Sequence, residues 1–228
     1  IHLNEGPGDI LVFLPKIEYI SEGETMIRKM SKKLSKENPK FVPMDIIPFH
    51  PLLPIHNIFT VVNKKKEKQK QTGMVRRCIL ISDILENSIS IPNIRYVVDP
   101  GLTTDRIYDA NLGIESVKVA QISREKAKKR SNSISCSETG KCYRLYTQQT
   151  FKEEMEENST PELLKANLAS IILIFIKLQI KEVLDLDSQN IKNALEFLTD
   201  LGALRKVLEQ IKLVIAIAKS NTDGGDDD

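Results

Sequence analysis

Apolar positions in the first half of the chain fall in short continuous runs. Asp9-Ile10-Leu11-Val12-Phe13-Leu14, Cys78–Ile81 and Ile94–Val98 are rich in β-branched residues and bounded by polar, turn-forming residues. Such runs predict strands covered on both faces, as in a mostly parallel sheet. From Lys16 to about Glu37 the period changes: Ile17, Ile20, Met26, Ile27, Met30 and Leu34 recur near helical spacing. Met44–Ile47 predicts another strand, ending at Pro48. Strand, helix, strand is the crossover unit of α/β proteins.

Beyond Asp99-Pro100-Gly101, which stops a strand sharply, the pattern alternates. Leu102–Tyr108 and Ile114–Ile122 flank Asp109-Ala110-Asn111-Leu112-Gly113 and predict a β-hairpin. Ser123 is placed to cap a helix running to Arg130, and Gly140–Tyr146 predicts a further strand. The last third is helical in pattern. Phe151–Asn158 predicts a short acidic helix. Thr160-Pro161-Glu162 carries start signals, and Leu163–Ile180 is apolar all round, as in a buried helix. Leu204–Lys219 has one apolar face, and Asn221–Asp228 is a polar, acidic tail expected to be disordered.

Composition narrows the class. The 228 residues, 41% hydrophobic and 28% charged, suit one large or two small globular domains. Net charge is +2, from 33 basic and 31 acidic residues, so any nucleic-acid-binding surface has to be local. The longest apolar run, Ile171–Ile176, is far short of the roughly 20 residues that cross a bilayer, and no membrane partner is expected. Cys78, Cys136 and Cys142 are too few and too irregular for a disulfide framework or a zinc site, which favours a reducing, intracellular compartment. The missing initiator Met suggests a fragment or a processed chain.

Candidate chemistry sits in few places. In open α/β sheets ligands bind beyond the carboxyl ends of strands, which singles out Ser82–Ser90. Lys126, Lys128, Lys129 and Arg130 could meet a phosphate backbone, or form an ordinary solvated face. Lys64, Lys65, Lys66, Lys68 and Lys70 read as a nuclear-localisation or RNA-contact patch, or as a solvated loop. His50 and His56 have no carboxylate or Cys at ligand spacing, so no metal site is expected.

Several of these stretches resemble the DEAH-box RNA helicases. Ser82-Asp83-Ile84-Leu85-Glu86-Asn87-Ser88-Ile89-Ser90-Ile91, with Val98-Asp99-Pro100-Gly101 downstream, is similar to the family's T-N-I-A-E-T-S-L-T-I followed by V-D-P-G. Gly8–Leu14 resembles G-D-I-L-V-F-L, and Gly140–Tyr146 resembles P-G-K-C-F-R-L-Y. The resemblance implies an α/β fold: a RecA-like parallel sheet with helices on both faces and a projecting β-hairpin over residues 1–150. This is the second RecA-like domain of the family. A truncated all-α winged-helix remnant would follow over 151–220, and the tail over 221–228.

The resemblance also implies roles. Phe59 would stack on the adenine of a bound nucleotide, although it reads equally as a core aromatic. Arg130 would be the catalytic and nucleotide-facing arginine. Ser82, Asp83, Arg106 and Tyr108 would face RNA. The family pattern Q-R-x-G-R-x-G-R appears as Lys129-Arg130-Ser131-Asn132-Ser133-Ile134-Ser135-Cys136, so one arginine of three survives. An arginine finger contributes about 10³- to 10⁵-fold to phosphoryl transfer, and serine or cysteine cannot replace it. Neither G-x-x-x-x-G-K-[ST] nor D-E-A-H occurs. ATP with Mg²⁺ is therefore expected only if a first RecA-like domain is supplied in cis or in trans. The implied function is the C-terminal half of an ATP-dependent RNA helicase in pre-mRNA splicing or ribosome biogenesis, catalytically impaired, with the nucleus as its favoured location. The alternative is a non-enzymatic module that binds RNA or helicase cofactor proteins.

Overall fold

In a computed structural model, five strands form one sheet in the order β2-β3-β1-β4-β7, every neighbouring pair parallel. The strands are β1 (Asp9–Leu14), β2 (Asp45–Phe49), β3 (Arg77–Ser82), β4 (Ile94–Asp99) and β7 (Lys141–Arg144). The residues described are 1–38, 41–54, 76–86, 91–109, 113–135, 139–161, 165–178 and 188–204. The chain divides into two compact units, Ile1–Asp105 with Val119–Ser159, and Arg106–Lys118 with Thr160–Asp228.

The expected both-face burial holds for the three central strands. On one face Leu11, Phe13, Ile79, Ile81 and Val97 form a core with Phe49, Ile91 and Ile94. On the other, Ile10, Cys78, Leu80 and Tyr96 pack with Ile20 of α1 (Ile17–Glu37). The two-residue period of a strand makes this partition: odd positions of β1 and β3 face one side and even positions the other. Helices cover both faces. The second one, α2 (Arg124–Ser131), places Arg130 over the Phe13 ring on the side opposite α1.

Two strand boundaries differ from expectation: β7 stops at Arg144, short of Tyr146, and β2 runs past its expected end. Pro48 lies inside β2, opposite Leu80, and does not end it. The sheet order makes β2 an edge strand, where a missing N–H on the outer side costs no ladder bond.

At the amino ends of the strands, Asp9 accepts from the Arg77 backbone N–H at 2.9 Å and from its Nε at 2.7 Å, and both residues are buried. Arg77 also donates to Pro92 O, which ties the turn entering β4 to β3. The leading residues are fastened nearby. Arg76 donates to the carbonyls of Ile1 and Glu5, and the Glu5 carboxylate receives Lys141 at 2.8 Å.

Strands β5 (Leu102–Asp109) and β6 (Ile114–Gln121) pair with each other as the predicted hairpin, a separate two-stranded sheet. Gly113 closes its turn, donating to Asp109 O at 2.8 Å with a φ of 66°.

In the second unit, α3 (Ala169–Lys177) and α4 (Ser188–Asp200) bury Leu168, Ala169, Ile172, Ile191, Ala194, Leu195, Leu198 and Leu204 together. The expected long helix is shorter here. Its described part starts at Ala169, whose N–H donates to Asn167 Oδ1 at 2.9 Å. Nor is α3 buried all round, since Ile174 is half exposed. Phe151–Asn158 also departs from a regular helix: Thr150–Glu154 forms one π-helical turn and the chain leaves it extended at Met155. The expected helix beyond Leu204 and the acidic tail lie outside the described residues.

Candidate functional site

The carboxyl ends of β3 and β4 carry Ser82 and Asp99, and the turn after β3 carries Asp83 and Glu86. Parallel strands bring these four positions to one edge. Helix α2 then delivers Arg130 to the same place. Its amino end is held by Ser123, whose Oγ accepts from the Lys126 N–H at 3.1 Å. From that cap, Ala127 and Arg130 share the sheet-facing side, three residues apart, and both are buried.

Arg130 does not face an open surface. Its side chain is 0% exposed. Nη1 donates to Asp99 Oδ1 at 2.7 Å, Nε donates to Glu86 Oε2 at 3.1 Å, and the guanidinium lies 4.8 Å from the centre of the Phe13 ring. Asp99 has further donors. Tyr146 Oη donates to its Oδ2 at 2.8 Å and the Gly101 N–H to its Oδ1 at 3.0 Å. Gly101 has a φ of 75°, and a Cβ there would stand 2.6 Å from Tyr146 Cδ1, so the turn requires glycine. Burial pushes the Tyr146 phenol up strongly, and the adjacent Asp99 charge adds to the effect. Burial also raises the Glu86 carboxyl, outweighing the cations of Arg130 and Lys126 beside it. Glu86 Oε1, Ser82 Oγ, Asp83 Oδ1 and Arg130 Nη2 are buried without a partner among the described residues.

Asp83 is buried as well, and one of its oxygens is heavily used. Oδ2 accepts from Thr103 Oγ1 at 2.8 Å, from the Thr104 N–H at 2.6 Å and from Thr104 Oγ1 at 2.9 Å. Lys126 Nζ donates to Thr103 Oγ1 at 2.8 Å and stands 3.7 Å from Glu86 Oε2.

The segment after α2 is also engaged. Ser135 Oγ donates to Ile91 O at 2.7 Å and accepts from the Ile94 N–H at 3.1 Å, while its own N–H donates to Ile94 O at 2.9 Å. This hydroxyl braces the turn through Asn93, whose φ is 66°. Ser133 donates its N–H to Arg130 O. Cys136 lies outside the described residues.

The structure therefore brings Arg130, Ser82 and Asp83 to one edge of the sheet. Arg106 and Tyr108 lie on β5, Arg106 exposed and Tyr108 half-buried. Phe59 and the lysines from Lys64 to Lys70 lie outside the described residues. Sequence reasoning missed Asp99, Thr103, Thr104 and Tyr146 as parts of the site, and it placed Glu86 in the candidate stretch and Lys126 in the basic cluster without their pairing. One signal was present: Ala127, Arg130 and Ile134 share helical spacing, so Arg130 falls on an inward face, and Asp99 ends an apolar strand where a buried acid needs a counter-charge.

Among the described residues, Arg130 presents no exposed donor to a nucleoside triphosphate. The one arginine aligned with the nucleotide-binding pattern is enclosed between two carboxylates, and Ser135 is spent on backbone. Among the described residues no group of three or more His, Cys, Asp and Glu side chains could hold a metal ion. No described helix is long and apolar enough to cross a membrane.

No protein-family model matches the chain. It is 35% identical over 210 residues to the pre-mRNA-splicing factor ATP-dependent RNA helicase prp22 of Schizosaccharomyces pombe. The match covers 90% of this chain and 17% of that protein, so the chain spans about a sixth of its relative's length. The all-parallel sheet and a match along nine-tenths of the chain support a fragment of a DEAH-box RNA helicase, the counterpart of one segment of such a protein.

Proposed function

We propose that the chain is the second RecA-like domain of a DEAH-type RNA helicase acting in pre-mRNA splicing or ribosome biogenesis, in a catalytically impaired form. Similarity to a splicing helicase supports the RNA-processing role and a nuclear location. Impairment rests on one observation: Arg130 is fully enclosed and paired with Asp99 and Glu86. Phosphoryl transfer needs cationic donors aimed at the developing charge, and a guanidinium neutralised by two buried carboxylates is not such a donor. In this reading ATP and Mg²⁺ are held by a first RecA-like domain, in cis or in trans, with Phe59 against the adenine. Ser82, Asp83, Arg106 and Tyr108 serve RNA, and the helices after residue 150 are a winged-helix remnant.

A second reading is a non-enzymatic module that keeps the fold to bind RNA or a helicase cofactor protein. It is favoured by Ser135, which stands where the family pattern has glycine and now braces the turn before β4.

The test is ATP hydrolysis by the chain mixed with a first RecA-like domain from an active DEAH helicase, with and without oligouridylate. Binding of fluorescein-labelled oligouridylate is followed in parallel. The first reading expects no turnover in the unmodified chain and recovery in Ser133→Arg, Cys136→Arg. Turnover by the unmodified chain would sink the impairment claim. Oligouridylate binding with no recovery in the repaired variant selects the second reading.

A further inference from the structure

The start of β5 is attached to the sheet by polar contacts. Strands β5 and β6 share no ladder with the five-stranded sheet, and Leu102 to Asp105 contribute nothing to the buried apolar clusters among the described residues. Leu102 itself is exposed. The returning end of the hairpin differs, because Ile122 is buried with Ala127 and Met155 and its N–H donates to Gly101 O. The outgoing strand therefore depends on something other than apolar burial.

Asp83 supplies it. Three donors from Thr103 and Thr104 converge on Oδ2. A buried carboxylate has to be compensated, and this compensation comes from the strand twenty residues on. Thr103 Oγ1 passes the connection further, accepting from Lys126 Nζ while it donates to Asp83. The single Thr104 hydroxyl hydrogen has a second acceptor within reach, the Pro15 carbonyl just past β1, as an alternative to Asp83. The residues that open β5 thus meet the ends of β1 and β3 and the side of α2. Bonds to an ionised acceptor are roughly twice as strong as neutral ones, which suits a fixed joint.

We propose that Asp83 is a positioning residue that clasps the start of β5, at Thr103 and Thr104, to the turn after β3. Its consequence for ligand binding rests on the RNA reading above: Asp83 acts on nucleic acid by holding a strand in place, with its charge consumed internally.

The test uses the full chain and two readouts. In Asp83→Ala, amide hydrogen exchange at Thr103 and Thr104 should accelerate by about tenfold to a hundredfold, the range for losing a bond to a charged acceptor. Amides inside β1 and β3 should keep their protection. Thr104→Val, which removes one donor only, should give a smaller acceleration at the same two amides. Asp83→Asn retains an acceptor without the charge and supplies the comparison if the alanine variant does not fold. Affinity for fluorescein-labelled oligouridylate should fall several-fold in Asp83→Ala and less in Thr104→Val. Unchanged exchange at Thr104, or equal acceleration throughout β1 and β3, would overturn the clasp. If the unmodified chain fails to bind oligouridylate, the RNA reading falls, and the exchange result alone decides the clasp.

Discussion

Arg130 Nη1 lies 2.7 Å from Asp99 Oδ1, and neither side chain has any exposed surface. The two arrive from different elements, Asp99 at the end of β4 and Arg130 on the second turn of α2. Their pairing joins helix to sheet at the edge where ligands bind in this class of fold. Taking both charges out of water costs several kcal/mol each, so the pair is held by its further bonds to Glu86, Tyr146 and the Gly101 N–H.

Removing one partner should be severe. Arg130→Met leaves Asp99 as an uncompensated buried charge and should lose about 3–5 kcal/mol of unfolding free energy. Arg130→Lys keeps the charge without the fork that spans Asp99 and Glu86, and should recover only part of that loss. Urea denaturation followed by circular dichroism reads both. A change below about 1 kcal/mol for the methionine variant would mean that the pair is not holding α2 to the sheet.

Cys78 predicts a specific pH dependence. Burial on β3 pushes its thiol up to about 11. The folded state then holds a proton that the unfolded chain releases near the ordinary thiol value, so the contribution is fully present below that value. It is lost as pH rises through about 9 to 11. The loss from this one group is about 2–3 kcal/mol. Cys78→Val, which leaves an apolar side chain of similar size, should flatten the stability profile by that amount over this range. Identical profiles for the two proteins would show that the thiol does not titrate with folding.

Ser135 separates structural use from family pattern. Ser135→Ala deletes the bonds to Ile91 O and from the Ile94 N–H and should cost about 1–3 kcal/mol. Ser135→Gly should cost more by roughly 0.5–1 kcal/mol, from added backbone entropy. Thermal or urea unfolding of the pair gives the ordering. If restoring glycine stabilised the chain, the hydroxyl would not be bracing this turn.

The central strands were legible because their chemistry is local. A run such as Cys78–Ile81 has no polar side that could face water, so it can only lie between two covered faces. The Lys16–Glu37 helix and the hairpin around Gly113 were legible for the same reason, since their periods are written in neighbouring residues. Pro48 was misread as a terminator because edge or centre is a property of strand order, and strand order is set by contacts between β2 and a strand some thirty residues away.

The site divides in the same manner. Sequence alone determined which side chains reach the carboxyl edge of the sheet, because strand ends and a capped helix carry Ser82, Asp83 and Arg130 there. Only the tertiary structure decided what they do on arrival. Arg130 looks like a free cation until Asp99 and Glu86 enclose it, and Asp83 looks like an open carboxylate until Thr103 and Thr104 use it. Those partners lie between 20 and 44 residues away in the chain. Charge balance in a low-dielectric interior is settled by which groups meet across such separations, and no local pattern encodes that meeting.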